Sequence, residues 1–533
     1  RAKMFHSLSE GVVWWNYTGH ASPNGWTGEG LLTSPDVSNN LFYKRLPILY
    51  AATCEFTRFD ALNLSGGEKM FLNGQGGAIA LICPPRLVYI TQNGDLHKRV
   101  AKYTFARDAE GMPHRLGDIL RWGKNDYRKA TSAGHEDNNM RYFLFGDPAM
   151  RPAFAPLKIK VESINGQQLS EDNKPEFKAR QTLTFAGKVT DSKGNKVDFN
   201  GPVIATLYDC EQSVLSHGYG DGGEEYTYLD RPNKLAVKVD TVKNGDFSFK
   251  VTVPSEILAT FDNYSPSLIN LYAYDNSQTS NVKFNGGSRE AMGSNSQFYI
   301  YGYDDTVVPD TIGPNIEMMV LNGEEFKDGD LVNESPLLMA RVSDESGINL
   351  SSSGIGHAIT LTIDDKTTID DLSAYFSPIN TDNENGSAGN INYQLSDLDP
   401  GAHTLKLKVW DVFNNSSSKT INFTVIRGMK PDLYDVYCDA NPASTSANFY
   451  LKHNRPDATV TVGIDIYNLL GQLVWTATQT GRSDSGTSFP VTWNLTDMNG
   501  NRVQRGIYIY RARISTDGIQ EATKAKKIAV TAQ

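Results

Sequence analysis

The sequence predicts a multidomain chain, an α/β region followed by three β-sandwich domains. Three observations carry that reading. Two short apolar runs, Val12-Val13-Trp14-Trp15-Asn16-Tyr17 and Pro47-Ile48-Leu49-Tyr50-Ala51-Ala52-Thr53, show no polar alternation until their ends, the pattern of strands buried on both faces of a parallel sheet. From Leu157 onward helical periodicity stops, and short strand-like runs recur between turn signals such as Asn165-Gly166, Asn244-Gly245 and Asn322-Gly323. The length of 533 residues leaves room for about three to five domains.

Composition narrows the function. A net charge of −10, with no Lys/Arg stripe to neutralise phosphates, argues against nucleic acid. No apolar run approaches the ~20 residues of a membrane helix. Cys54, Cys83, Cys210 and Cys438 are widely spaced, which is neither a zinc pattern nor a disulfide framework. No metal and no cofactor is expected at the site.

Each apolar run leads to a chemically capable residue. The first passes through Thr18-Gly19 to His20, the second ends at Cys54, and residues 25–45 between them supply turns and a crossover. If the strands are parallel neighbours, His20 and Cys54 leave the same carboxyl edge of the sheet, where open α/β sheets place their sites. A thiol beside an imidazole suggests a nucleophile and its base. Taken singly each residue has a plainer reading, a small buried hydrophobe for the cysteine and a turn for the histidine; their matched positions favour the functional one.

Residues 67–73 read as a short helix before the next core run, Gly76-Gly77-Ala78-Ile79-Ala80. That run continues to Leu81-Ile82-Cys83 and is stopped by Pro84-Pro85. Cys83, with no base beside it in sequence, reads as a strand-end residue lining a pocket. The loop over residues 84–95 follows a core strand and offers Arg86 and Tyr89 for substrate contact, against the alternative of a solvated loop. Helices are expected over 95–105 and 116–131, the second with Leu116, Ile119, Leu120 and Trp122 toward a core.

The order Asn16-Tyr17-Thr18-Gly19-His20, then Trp26, then Leu46-Pro47-Ile48 running to Thr53-Cys54, then Gly76 to Ala80 and Phe145-Gly146-Asp147-Pro148, resembles the C25 (gingipain-like) branch of the caspase-fold cysteine peptidases. The resemblance implies that residues 1–155 are the C-terminal part of a caspase-like catalytic domain, with Cys54 as nucleophile and His20 as base. It implies an oxyanion site from the backbone N–H groups of Ala21 and Cys54, and Trp26 joins Arg86 and Tyr89 as a candidate substrate contact. Ala21 stands where the family usually has glycine, and its N–H can still donate. The family's earlier strands, and an acidic residue orienting the histidine, are expected upstream of Arg1.

The β part divides into a sandwich at 156–308, an immunoglobulin-like sandwich at 309–428 and a small sandwich at 429–533. Residues 304–314, rich in Asp, Pro and Gly, form the first join. Ala236 to Val239 and Phe247 to Val251 flank Asn244-Gly245 and read as a hairpin, as do the runs around Asp411-Val412-Phe413-Asn414-Asn415. Gly354-Ile355-Gly356-His357 is not a phosphate cradle, because no helix follows. Asp364-Asp365 and Asp370-Asp371 leave structural calcium open, although exposed loop acids are the commoner reading. In the last segment Asn441-Pro442, Tyr467-Asn468-Leu469-Leu470-Gly471-Gln472, Trp493-Asn494, Gly500-Asn501 and Gly506-Ile507-Tyr508 resemble, in that order, the C-terminal secretion domain of the Bacteroidetes type IX system.

Taken together, the domain order resembles the type IX sortase family. That implies a cysteine endopeptidase or transpeptidase at the Gram-negative cell surface, associated with the outer membrane, which removes C-terminal signal domains from cargo and joins the cargo to a lipopolysaccharide amine. The implied partners are cargo proteins with C-terminal signal domains and the outer-membrane barrel PorV, with PorQ and PorZ. The alternatives are a secreted gingipain-like protease that is itself type IX cargo, and a non-enzymatic surface adhesin.

Overall fold

In the computed structural model every residue is described except 40, 42, 44, 75, 131–135, 217–224, 261–263, 276–288, 352, 353, 355, 382–384, 457, 484, 485, 517–519, 532 and 533. Helix α1 (Ala2–Glu10) precedes β1 (Trp14–Thr18). A small antiparallel sheet follows, β2 (Ala21–Ser22), β3 (Gly25–Trp26) and β4 (Leu32–Thr33), and then α2 (Ser34–Asn39). These form the crossover to β5 (Ile48–Ala52), which lies parallel to β1. After α3 (Gly66–Leu72) comes β6 (Ala80–Cys83), parallel to β5. Helices α4 (Ile90–Thr104), α5 (Leu116–Ala130) and α6 (Glu136–Met140) lead to β7 (Phe143–Phe145), which closes the sheet antiparallel to β6.

The absence of polar alternation in β5 is explained by its surroundings. Leu49 and Ala51 pack on one side of the sheet with Trp15, Trp26, Val37 and Met70, while Ile48, Tyr50 and Ala52 pack on the other with Leu96, Val100, Ile119 and Tyr127. All five β5 side chains are buried, and each large one contributes on the order of 2 kcal/mol relative to exposure. Helix α3 starts at a capping box, with the Ser65 side chain on the Glu68 N–H and the Glu68 carboxylate on the Ser65 N–H. Helix α4 begins at Ile90, five residues before the sequence-based boundary. Tyr89 and Ile90 face solvent, so no apolar periodicity marks that first turn.

The segment from 157 to 303 folds as an eight-stranded sheet with a parallel pair, Glu176–Ala179 and Tyr299–Tyr303, around its own core. Strands Lys234–Val242 and Asp246–Thr252 are not the paired hairpin expected from Asn244-Gly245. They bridge only at Lys243 and Asp246 and then diverge, one pairing with Gly201–Tyr208 and the other with Thr182–Thr190. The turn, with φ of 50° at Asn244 and 83° at Gly245, carries the chain between the two edges of one sheet.

Residues 315 to 425 form a four-stranded and a five-stranded sheet around a second core. The expected hairpin across 411–415 is present as Gly401–Trp410 with Ser416–Val425. The two β regions touch through buried polar contacts. Lys238 Nζ donates to Gly386 O at 2.6 Å, and Ser351 Oγ donates to Asn233 Oδ1 at 2.9 Å. Asp364 receives His403 Nδ1 at 2.8 Å and the Thr404 N–H at 2.8 Å. It therefore fastens a turn. Among the described residues the carboxylates that converge are Asp310, Asp344 and Asp411, with oxygens within 4.8 Å of one another.

From Leu433 a three-stranded and a four-stranded sheet enclose a third core. The last strand, Gln520–Val530, pairs along its length with Gly506–Thr516. Among the described residues, no helix is long and apolar enough to cross a membrane.

Candidate active site

The register of β1 and β5 pairs Thr18 with Ala52. His20 and Cys54 each lie two residues further along, so they leave the same carboxyl edge of adjacent parallel strands, which run about 4.8 Å apart. Gly19 N–H donates to Ala52 O at 3.3 Å and holds the two chain ends together just before they diverge. His20 is exposed and Cys54 half-buried.

The His20 backbone is fixed on two sides. Its carbonyl accepts the Tyr17 hydroxyl at 2.6 Å and the Thr27 N–H at 2.9 Å. A side chain at position 19 would put a Cβ 2.7 Å from the Tyr17 hydroxyl oxygen, so this hydrogen bond requires glycine there. The Thr27 bond also sets the hairpin pattern. Ala21 and Trp26 are opposed as a non-hydrogen-bonded pair, and the Ala21 N–H therefore points away from β3, as an oxyanion donor must.

Beyond Cys54 the chain turns sharply, with Glu55 at φ 51°, a left-handed conformation uncommon outside glycine. The Glu55 N–H donates to Arg86 O at 3.4 Å. The sulfur's partners are main chain. The Val88 N–H donates to Cys54 Sγ at 3.5 Å, and the thiol lies 3.6 Å from Val88 O. A direct bond between His20 and Cys54 is not among those of the described residues, and catalytic hydrogen bonds are often long in unliganded sites.

The three residues expected at the substrate differ in placement. Trp26 is 1 % exposed, stacked on Tyr17 with centroids 4.0 Å apart and tilted against Trp15 and Phe56. It supports the His20 turn from behind and offers no surface to a substrate, which corrects the sequence-based expectation; a tryptophan beside a turn reads the same in sequence whether it lines a site or backs it. Arg86 is half-exposed and forms a two-pronged pair with Asp60, Nη1 to Oδ1 at 2.9 Å, whose carboxyl it holds below the usual range. Tyr89 is exposed at the start of α4. Cys83 is fully buried, and burial pushes its thiol up to about 12, so it stays protonated as core. No motif or periodicity marks the Val88 main chain or Asn138, which lies far along the chain yet accepts the Tyr89 N–H at 2.8 Å.

Residues 1–153 match the model of Peptidase family C25. The chain is 30% identical to the dimeric latent PorU from Porphyromonas gingivalis, over 86% of this chain and 41% of that one, with a TM-score of 0.34. Against the complex of RgpB pro- and mature domains from Porphyromonas gingivalis the identity is 15%, covering 56% of each chain, with a TM-score of 0.27. The chain thus spans less than half of the PorU chain that it resembles. No curated protein matches it.

Proposed function

We propose that the chain carries the nucleophile and base of a C25-type cysteine peptidase, and that it acts as a cell-surface sortase of the PorU kind on type IX cargo. The observation that carries the first part is the β1–β5 register, which sets His20 and Cys54 at one sheet edge inside the region matched by the C25 family. In the reaction His20 takes the thiol proton, and the Cys54 sulfur attacks a backbone carbonyl at the junction before the cargo's C-terminal signal. The N–H groups of Ala21 and Cys54 receive the oxyanion, each worth on the order of 3 kcal/mol. Protonated His20 then gives its proton to the departing amine. Water opens the thioester to give a peptidase, or a lipopolysaccharide amine opens it to give a transpeptidase.

The sortase reading is supported by the domain order. Two β regions, 157–303 and 315–425, separate the sheet edge from a C-terminal segment whose motifs resemble type IX secretion domains. PorV, with PorQ and PorZ, would be the surface partners. The test is a mass measurement on protein recovered from the cell surface, together with cargo processing in a Cys54→Ala strain lacking any other copy. A sortase keeps residues beyond Asp439 and stops processing when Cys54 is lost. A surface form truncated near Asp439 would indicate type IX cargo, and full processing by Cys54→Ala would exclude the enzyme reading.

A further inference from the structure

The wall that faces the Cys54 sulfur belongs to a loop, residues 84–89 between β6 and α4, and Val88 supplies it with main-chain atoms alone. A surface loop holds a main-chain group at one position only where other bonds tie it down. Arg86 is tied locally, by the Glu55 N–H to its carbonyl and by Asp60 to its guanidinium; the ties next to Val88 itself come from a distant segment, residues 138–142. The Tyr89 N–H donates to Asn138 Oδ1 at 2.8 Å. Asn138 Nδ2 donates to Asn93 Oδ1 at 2.9 Å, and the Tyr142 hydroxyl donates to the same oxygen at 2.9 Å. The Arg141 guanidinium donates to Leu87 O. Asn93, Asn138 and Tyr142 are 5 %, 2 % and 1 % exposed.

Buried amides and hydroxyls are costly unless each finds a partner. An apolar filling would close the same space at lower cost, but it would leave the Tyr89 N–H at the start of α4 without an acceptor and the loop without a fixed register. The chain of bonds supplies direction: α4 through Asn93, then α6 through Asn138, then Tyr89, and from there one residue back to Val88 and the sulfur. A backbone N–H aimed at sulfur bonds the thiolate more strongly than the thiol, so the position of Val88 bears on how readily Cys54 reacts.

We propose that Asn138 is a positioning residue for the Cys54 nucleophile, acting through the main chain of Tyr89 and Val88. The proposal rests on the reading of Cys54 as nucleophile, and the two can fail separately. If that reading is wrong, Cys54→Ala still processes cargo; if this proposal is wrong, Cys54→Ala is inactive while Asn138 variants keep normal thiol reactivity.

The test uses the full chain and site-resolved alkylation by iodoacetamide, read by peptide mass at Cys54 and at half-buried Cys438, over a range of pH. Asn138→Ala should still melt cooperatively, alkylate about fivefold more slowly at Cys54 near pH 7, the effect of one ordinary hydrogen bond, and leave Cys438 unchanged. Asn138→Asp supplies the second arm. While protonated, its carboxyl accepts from Tyr89 and donates to Asn93, so reactivity relative to wild type is preserved at low pH. Once ionised it loses the donor, and reactivity falls toward that of the alanine variant. Unchanged Cys54 kinetics in Asn138→Ala, equal slowing at Cys54 and Cys438, or an Asn138→Asp to wild-type ratio constant across pH would each overturn the proposal.

Discussion

Tyr17 and Trp26 stack with ring centroids 4.0 Å apart and planes 3° from parallel, and the same Tyr17 donates its hydroxyl to the His20 carbonyl at 2.6 Å. One aromatic pair therefore links the hydrophobic core to the backbone of the proposed base. Tyr17→Phe keeps the stack and removes the bond. Its cost in stability should be about 1 kcal/mol, while turnover should fall by about tenfold or more, because small misplacements of a catalytic group are expensive. Parallel denaturant melts and cargo-processing rates check this; equal, small losses in both would mean that the bond does not position His20.

Trp26→Ala should behave as a core lesion. Removing a fully buried indole costs about 3–5 kcal/mol, read as a lower denaturant midpoint, with substrate affinity of the surviving folded fraction little changed. A selective loss of substrate affinity with an intact melt would restore the substrate-contact reading.

The contrast between Trp26 and Cys54 shows how much was legible in the sequence. The β1–β5 strands were readable because burial on both faces removes polar alternation, and that pattern carried His20 and Cys54 to a common edge. The hairpin across 411–415 was readable from its turn chemistry and alternation. Asn244-Gly245 gave the turn but not the pairing, since strand partners 182–190 and 201–208 are chosen by the closure of the whole sheet. Asn138 was not legible at all. Its role depends on a contact across about 50 residues with the Tyr89 main chain, and no local periodicity or motif marks such a bond.

Asp344 offers a pH test of the region 309–428. Burial raises its carboxyl from 3.8 to about 6, against the opposing bonds from Ser346 and Gly347 and with the negative Asp411 adding to the rise. A raised folded-state value means that this group's contribution to stability is fully present below about pH 3.8 and is lost as pH rises through about 6. Asp344→Asn keeps the oxygen that accepts from Ser346 and Gly347 and removes the charge. Its calorimetric transition should lie above wild type at pH 7.5, by about 2–4 °C for each kcal/mol regained, with the gap closing near pH 4. A constant difference at both pH values would contradict this assignment.

Three separable predictions concern the last strand. Ile528 and Val530 are buried in the third core, so Ile528→Ala should cost about 2–5 kcal/mol. Lys526 pairs with Asp435 at 2.6 Å, with both side chains more than 40 % exposed, so Lys526→Ala should cost no more than about 1 kcal/mol. If this edge docks on a membrane barrel, Lys527→Glu should leave the melt unchanged and reduce the on-rate and its salt dependence, measured by surface binding at low and high salt. Wild-type association kinetics for Lys527→Glu would place docking elsewhere.

Cys54 and His20 are proposed to act as one catalytic unit. An irreversible acyl-type cysteine-peptidase probe, applied to the full-length protein and mapped by peptide mass spectrometry, tests this most directly. Covalent label is expected on Cys54, none at buried Cys83 or Cys210, and no label in Cys54→Ala. In His20→Ala the loss of labelling should be as severe as the loss of activity, because members of such a unit are not additive. Full labelling of Cys54 in His20→Ala, or label spread equally over Cys54 and Cys438, would contradict that proposal.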